Sequence, residues 1–261
     1  MKTWPRYVVP ALAFAAALLV WEWRVHALGI SPLVLATPSE IGTAFFEHWD
    51  VLGPALLFTL RITAAAFVLA TVAGVGLAVL FSLSRMIEYA LYPFAVVLQV
   101  TPVVAIAPLL LIWIGYDNVG EVLVVLAWII AFFTVLSNTT TGLKSADHNL
   151  IDLMRLYGAS RWQILLRVQL PGALPYILTG MKISGGLALI GAVTAEFVAG
   201  SGTDLGLGWV ITLANRNLDT AQEFAALALL SILGIAILFA MTALEWALLH
   251  RWHESAVKRE G

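Results

Sequence analysis

The chain has 261 residues, of which 61% are hydrophobic and 11% charged, and its mean hydropathy is +0.93. Soluble domains carry roughly 25% charged residues, so a water-soluble globular fold is excluded and an all-α polytopic membrane protein is expected. A net charge of -2 gives no pull toward nucleic acid, and the absence of cysteine excludes disulfides, thiolate metal sites and thiol chemistry.

Lys2 and Arg6 precede an apolar run from Tyr7 to Trp21, which resembles the start of a signal peptide. The run ends in Trp21, Glu22, Trp23 and Arg24, an interface belt without a small-x-small cleavage site, so an uncleaved first span near 7–25 is expected. The loop 26–55 contains Pro32, Pro38 and Pro54, and Thr37-Pro38-Ser39-Glu40 is a helix-start signal for a short interfacial helix. Further spans are expected near 60–83, 89–116, 120–143, 179–199 and 224–248, each long enough for a bilayer that needs about 20 apolar residues. This makes six. With no linker, low-complexity tract or internal repeat, residues 1–261 read as a single membrane domain.

Pro102 and Pro108 should break or kink the third span and free carbonyls that need a cavity or a polar neighbour. Gln99, Thr101, Pro102 and Trp113 are therefore pathway candidates, the alternative being a bend without transport meaning. Glu196, an acidic residue inside a span, costs about 2.5 to 3.5 kcal/mol to insert and should face protein or water. It reads either as a pathway residue or as a structural partner of Asn138, itself a pathway candidate, or of Lys182. Gly74 and Gly76, like Gly185 and Gly186, are expected to permit close helix packing.

Orientation follows from Lys and Arg, which are retained on cytoplasmic flanks. Eleven of the fourteen fall on one side if six spans are drawn: Lys2, Arg6, Arg85, Lys144, Arg155, Arg161, Arg167, Lys182, Arg251, Lys258 and Arg259. Arg24, Arg61 and Arg216 remain for the other. Both termini and the long connection after Lys144 are expected to be cytoplasmic.

That connection contains NLIDLMRLYGASRWQILLRVQLPGALP, residues 149–175. Asn149 is a candidate cap for a first short helix, Gly158 interrupts the pattern, and Ser160 with Gln163 forms a capping box for a second that should stop near Pro171. Leu150, Leu153, Met154, Leu156, Tyr157, Trp162 and Leu165 alternate with Arg155, Arg161 and Arg167, giving an amphipathic surface that needs a protein partner or anionic lipid.

The segment resembles the EAA loop of binding-protein-dependent ABC importer permeases. Asp152, Leu153 and Met154 stand at the acidic-Ala-Ala triplet, Gly158 at the glycine, and Val168, Leu170 and Pro171 at the terminal Ile-x-Leu-Pro; Asp replaces Glu and the alanines are larger. The likeness continues through Pro93, Ala107-Pro108-Leu109, Trp113-Ile114-Gly115-Tyr116, Phe132-Phe133, Asn138-Thr139, Gly142-Leu143, Ala195-Glu196 and Gly206-Leu207-Gly208. These residues resemble the nitrate/taurine/sulfonate type of permease, a group that includes importers of pyrimidine precursors.

The resemblance implies a type I importer-like fold of six spans, with a coupling segment at 149–171 in which Asp152, Leu153, Met154, Tyr157, Gly158, Ala159, Trp162, Val168, Leu170 and Pro171 meet a cytoplasmic ATPase dimer. It also implies a second copy of the permease, a periplasmic or lipid-anchored binding protein, surrounding membrane lipid, and a bacterial inner-membrane location. No G-x-x-x-x-G-K-[ST] occurs, so ATP hydrolysis is assigned to another chain and neither cofactor nor catalytic residue is expected here. His250 and His253 form an H-x-x-H pair read as interface anchors, and Gly200-Ser201-Gly202 lacks the partners of an intramembrane serine protease. The competing class is a self-contained secondary transporter or channel, which would carry coupling-ion groups at the midplane.

Overall fold

The computed structural model describes residues 5–199 and 206–250, and its regular structure is helical throughout. His253 and Gly200-Ser201-Gly202 lie outside the described residues. Helix α1 spans Pro5–Leu28 and is held through its last turns, where Glu22 accepts hydrogen bonds from the Ser39 backbone N–H (3.0 Å) and hydroxyl (2.7 Å). Ser39 lies on α2 (Pro38–Glu47), the short helix expected after Pro38. Its start is a capping box in which the Thr37 hydroxyl accepts from Glu40 N–H and the Glu40 carboxyl accepts from Thr37 N–H.

Helix α3 (Trp49–Leu83) begins well before residue 60, because Pro54 sits in its first turns where few hydrogen bonds are lost. The expected third span is not one helix. It divides into α4 (Arg85–Val100) and α5 (Val103–Ile114), whose axes differ by 105°. Thr101 is extended (φ -72°, ψ 125°), as a residue before proline must be, and its hydroxyl donates to the Val97 carbonyl at 2.7 Å. Pro108, by contrast, breaks nothing and lies inside α5; the extended pair Thr101-Pro102 makes the whole turn.

A 3-10 turn at Tyr116–Asn118 leads into α6 (Val119–Lys144). After it come α7 (His148–Leu156) and α8 (Arg161–Ile164), then a π-helical stretch Leu165–Gln169 that runs into α9 (Leu170–Ala199). Here the structure corrects the expectation of a stop near Pro171 and of a span beginning at 179. In the π stretch Leu170 N–H pairs with the Leu165 carbonyl, so the wider turn absorbs the missing proline donor and the helix continues. Helix α10 (Leu207–Arg216) and α11 (Thr220–Leu249) complete the fold. Among the described residues, five helices are long and apolar enough to cross a membrane, or six if the bent α4–α5 pair counts as one span.

The centre is a packed trio of α3, α6 and α9, with Ala66, Ala70, Leu126, Leu136, Ala188 and Ala192 all sealed from the surface. In lipid such contacts are held by van der Waals fit, so small residues that bring backbones together matter most. A methyl group on Gly191 would lie 2.8 Å from the Ala127 Cα, and one on Gly74 would lie 2.9 Å from Val135 Cβ, too close in either case. Gly185 is similarly tight against Ile237, at 3.0 Å. Gly76 and Gly186 face open space within the single chain and do not serve the packing role expected of them. A second apolar cluster joins α2, the start of α3, α10 and α11 through Leu52, Leu207, Val210, Ala226 and Leu229.

Candidate functional site

At one end of the bundle, the connection between α6 and α9 forms the amphipathic segment. Asp147, not Asn149, caps α7: its carboxyl accepts from Asn149 N–H, because the turn that opens the helix lies two residues earlier than the sequence suggests. Gly158 then turns the chain at φ +74°, a conformation that costs other residues roughly 1–2 kcal/mol, and a Cβ there would touch nothing. The glycine is therefore demanded by backbone geometry and not by crowding. The Ser160–Gln163 capping box starts α8 as expected.

Ile151, Ile164 and Leu165 are buried and fasten the segment to the bundle. On its other side Leu153, Leu156, Tyr157 and Trp162 are exposed, with Leu156 at 85% and Tyr157 at 83%. Asp152 pairs with Arg155 at 3.1 Å on the same open face. Met154, Ala159, Val168, Leu170 and Pro171 are half-buried at the seam. Two polar ties bind the segment to the core helices: Arg161 donates to the Leu83 carbonyl at the end of α3 (3.1 Å), and Gln169 donates to the Leu143 carbonyl near the end of α6 (3.3 Å).

Glu196 occupies the opposite end, one turn before α9 ends, and is only 1% exposed. Thr59 of α3 donates its hydroxyl to Glu196 Oε1 at 2.8 Å and accepts the Leu207 N–H at 2.9 Å, while Gly208 N–H donates to Oε2 at 2.7 Å. The side chains thus satisfy free N–H groups at the start of α10. Any side chain at Gly206 would enter the space of the Glu196 carboxyl. Neither expected partner is present: Asn138 donates to its own helix at Thr134 O (2.8 Å), and Lys182 pairs with Glu245 of α11 at 3.1 Å. Sequence distance hides these pairs, since Thr59 and Glu196 are 137 residues apart and Lys182 and Glu245 are 63 apart.

The pathway candidates do not form one cluster. Gln99, Thr101 and Pro102 lie at the α4–α5 bend, Trp113 is 70% exposed toward the other end of α5, and Asn138 sits where α6 meets Gly180 of α9. Glu196 belongs to the α3–α9–α10 junction instead. Among the described residues no group of acidic or histidine side chains is arranged to hold a metal.

The chain as a whole is similar to known transport components. The family described as binding-protein-dependent transport system inner membrane component matches residues 70–252. The chain belongs to this family. The permease is 34% identical over 264 residues to the riboflavin transport system permease protein RibX of Chloroflexus aurantiacus, covering 98% of this chain and 95% of that protein. It is 32% identical over 257 residues to the formylaminopyrimidine transport permease protein ThiX of Halalkalibacterium halodurans, covering 95% and 98% respectively. Its fold is similar to that in an inward-facing structure of the MetNI methionine ABC transporter, with a TM-score of 0.68 and 20% identity over 78% of this chain and 98% of the other. The permease is thus the multi-pass inner-membrane component of a binding-protein-dependent ABC importer for small solutes. It is not itself catalytic, and an ATPase and a binding protein are its partners.

Proposed function

We propose that the permease works as a homodimer whose segment 148–169 docks into the cytoplasmic ATPase pair, with both chain termini on that same side. The observation that carries this reading is the row of exposed Leu153, Leu156, Tyr157 and Trp162 on a segment tied by Arg161 and Gln169 to the ends of α3 and α6. Apolar knobs on a polar connection call for a protein groove, and the two ties give movement in that groove a route into the spans. The positive-inside bias supports the cytoplasmic placement.

For the solute we propose a small heteroaromatic compound of the pyrimidine-precursor class in preference to sulfonate, nitrate or an aromatic acid. RibX and ThiX are named for riboflavin and formylaminopyrimidine transport. Within the described spans Lys182 is neutralised by Glu245 at 3.1 Å, which leaves that cation unavailable to an anionic solute. Selection itself rests with the binding protein.

The decisive experiment replaces Leu153 and Trp162 together by Glu and follows membrane insertion alongside recovery of the ATPase subunit. Normal insertion with loss of the ATPase is expected; full recovery would remove the docking assignment. Uptake that persists without any ATPase would instead favour a secondary transporter. A cysteine placed at the exposed Ser145 should stay unlabelled by an impermeant reagent added outside intact cells, and labelling there would invert the topology.

A further inference from the structure

Between the α3–α4 corner and the segment 148–169 lie two adjoining cavities of about 670 and 550 Å³ that share Ser82, Arg85, Ile151, Arg155 and Gln169. The charged side chains lining the first are Arg85, Arg155 and Arg161, with no acid among them. The second adds Lys144 and His148, and its one acid, Glu88, is already paired with Lys144 at 2.5 Å. Arg155 is drawn toward Asp152 on the outer face and Arg161 spends a donor on the Leu83 carbonyl, which leaves its charge uncompensated. Arg85 has no ion-pair or hydrogen-bond partner among the described residues.

The backbone adds to the same field. Helix α4 starts at Arg85, and its first turn opens onto the cleft; the Ser84 cap serves only Ile87 N–H, at a long 3.5 Å. The positive end of this sixteen-residue helix lies beside the cleft, whose lining includes Ser84 and Arg85, with Glu88 of the same turn paired to Lys144. Next to the cleft, Tyr89 is 73% exposed, and beyond it Phe94 and Val97 continue an open apolar face along α4. An anionic head with apolar tails would meet donors and charge at one end and this face at the other.

We propose that this cleft binds a phosphate-bearing anion, the headgroup of an anionic membrane phospholipid, between Arg85 on one wall and Arg155 and Arg161 on the other. Guanidinium groups suit this ligand because they donate paired hydrogen bonds to phosphate oxygens. Bound there, the headgroup joins the α3–α4 corner to the segment between α6 and α9, adding to the Arg161–Leu83 hydrogen bond that links them among the described residues.

The test uses the full chain in a neutral detergent without ATPase, so its outcome is independent of the docking and topology proposed above. Short-chain phosphatidylglycerol, phosphatidylcholine and inorganic phosphate are each titrated while the melting temperature is read. Phosphatidylglycerol should stabilise the chain saturably and phosphatidylcholine should not. Arg85→Gln removes an exposed side chain without partners, so its melting without lipid should equal wild type, while its half-saturating lipid concentration rises about tenfold, the loss of one charge-assisted hydrogen-bond partner. Arg24→Gln, on the opposite side, should titrate like wild type. Displacement of the lipid by millimolar phosphate would support recognition of the phosphate group from either source; failure of phosphate to compete would support the lipid itself. Equal titration of Arg85→Gln and wild type, or equal weakening by Arg24→Gln, would overturn the site.

Discussion

The two ends of the bundle are built on opposite plans. At the end where Glu196 lies, α3, α9 and α10 meet through three buried hydrogen bonds, and a second apolar cluster seals α2 and α11 over them. At the other end the segment 148–169 keeps Ile151, Ile164 and Leu165 inside, leaves its largest apolar side chains outside, and turns on one residue of positive φ. The first end is fastened by buried polar contacts between its helices; the second presents a row of apolar side chains on a segment that turns at a glycine. Stability should therefore concentrate at the first and partner dependence at the second.

The largest effect is expected from Gly206→Val, which forces a side chain into the Glu196 carboxyl and should cost about 3 kcal/mol or abolish the folded permease. Yield and melting in detergent measure it; wild-type melting would show that the junction is looser than its geometry. At the other end, Gly158→Leu should insert normally and lose only the roughly 1–2 kcal/mol that a positive φ costs a side chain, since its Cβ meets nothing, yet abolish ATP hydrolysis stimulated by loaded binding protein. Gly158→Asn, which tolerates positive φ better, should retain more stimulation than Gly158→Leu. Equal loss in both would shift the cause from backbone shape to occupied space.

Glu196→Gln offers one acceptor in place of two, so either the Thr59 hydroxyl or the Gly208 N–H loses its partner, at about 1–3 kcal/mol. Thr59→Val should cost a similar amount by leaving Glu196 Oε1 and the Leu207 N–H without partners together. Measured side by side, uptake and melting should fall together in both variants. A fall in Glu196→Gln uptake alone would return that residue to the transport pathway. The smallest effect belongs to Asp152→Asn, whose pairing with Arg155 lies on an exposed face: melting should be unchanged within error, and any defect should appear only in ATPase recovery.

Much of this plan is legible in the amino-acid sequence, and the limits to its legibility are physical. Hydropathy locates the spans because a bilayer demands length, and Ser160–Gln163 with Gly158 locates the two short helices between α6 and α9 because capping and positive φ are local. Pro102 announces a break for the same local reason. Pro171 misleads, because the donor it lacks is made good by a π turn that no single residue signals. The Thr59–Glu196–Gly208 junction is hidden as well, since a buried acid declares its need for partners but not where along the chain they lie.

A single helix joins both ends. From Arg161 to Ala199 the chain is helical without interruption for 39 residues, a rod of about 58 Å with Trp162 at one tip and Glu196 near the other. About 30 Å suffices to cross hydrocarbon, so this rod is longer than the membrane core is thick, and near its middle Lys182 ties it to α11 through Glu245. Such a beam exchanges angle for distance. If it pivots near its midpoint, a tilt of about 5° carries each tip through roughly 2.5 Å in opposite directions, comparable to the small helix shifts that switch other assemblies. Because the far tip is clasped to α3 and α10 through the carboxyl of Glu196, such a tilt would be delivered to two further helices at once.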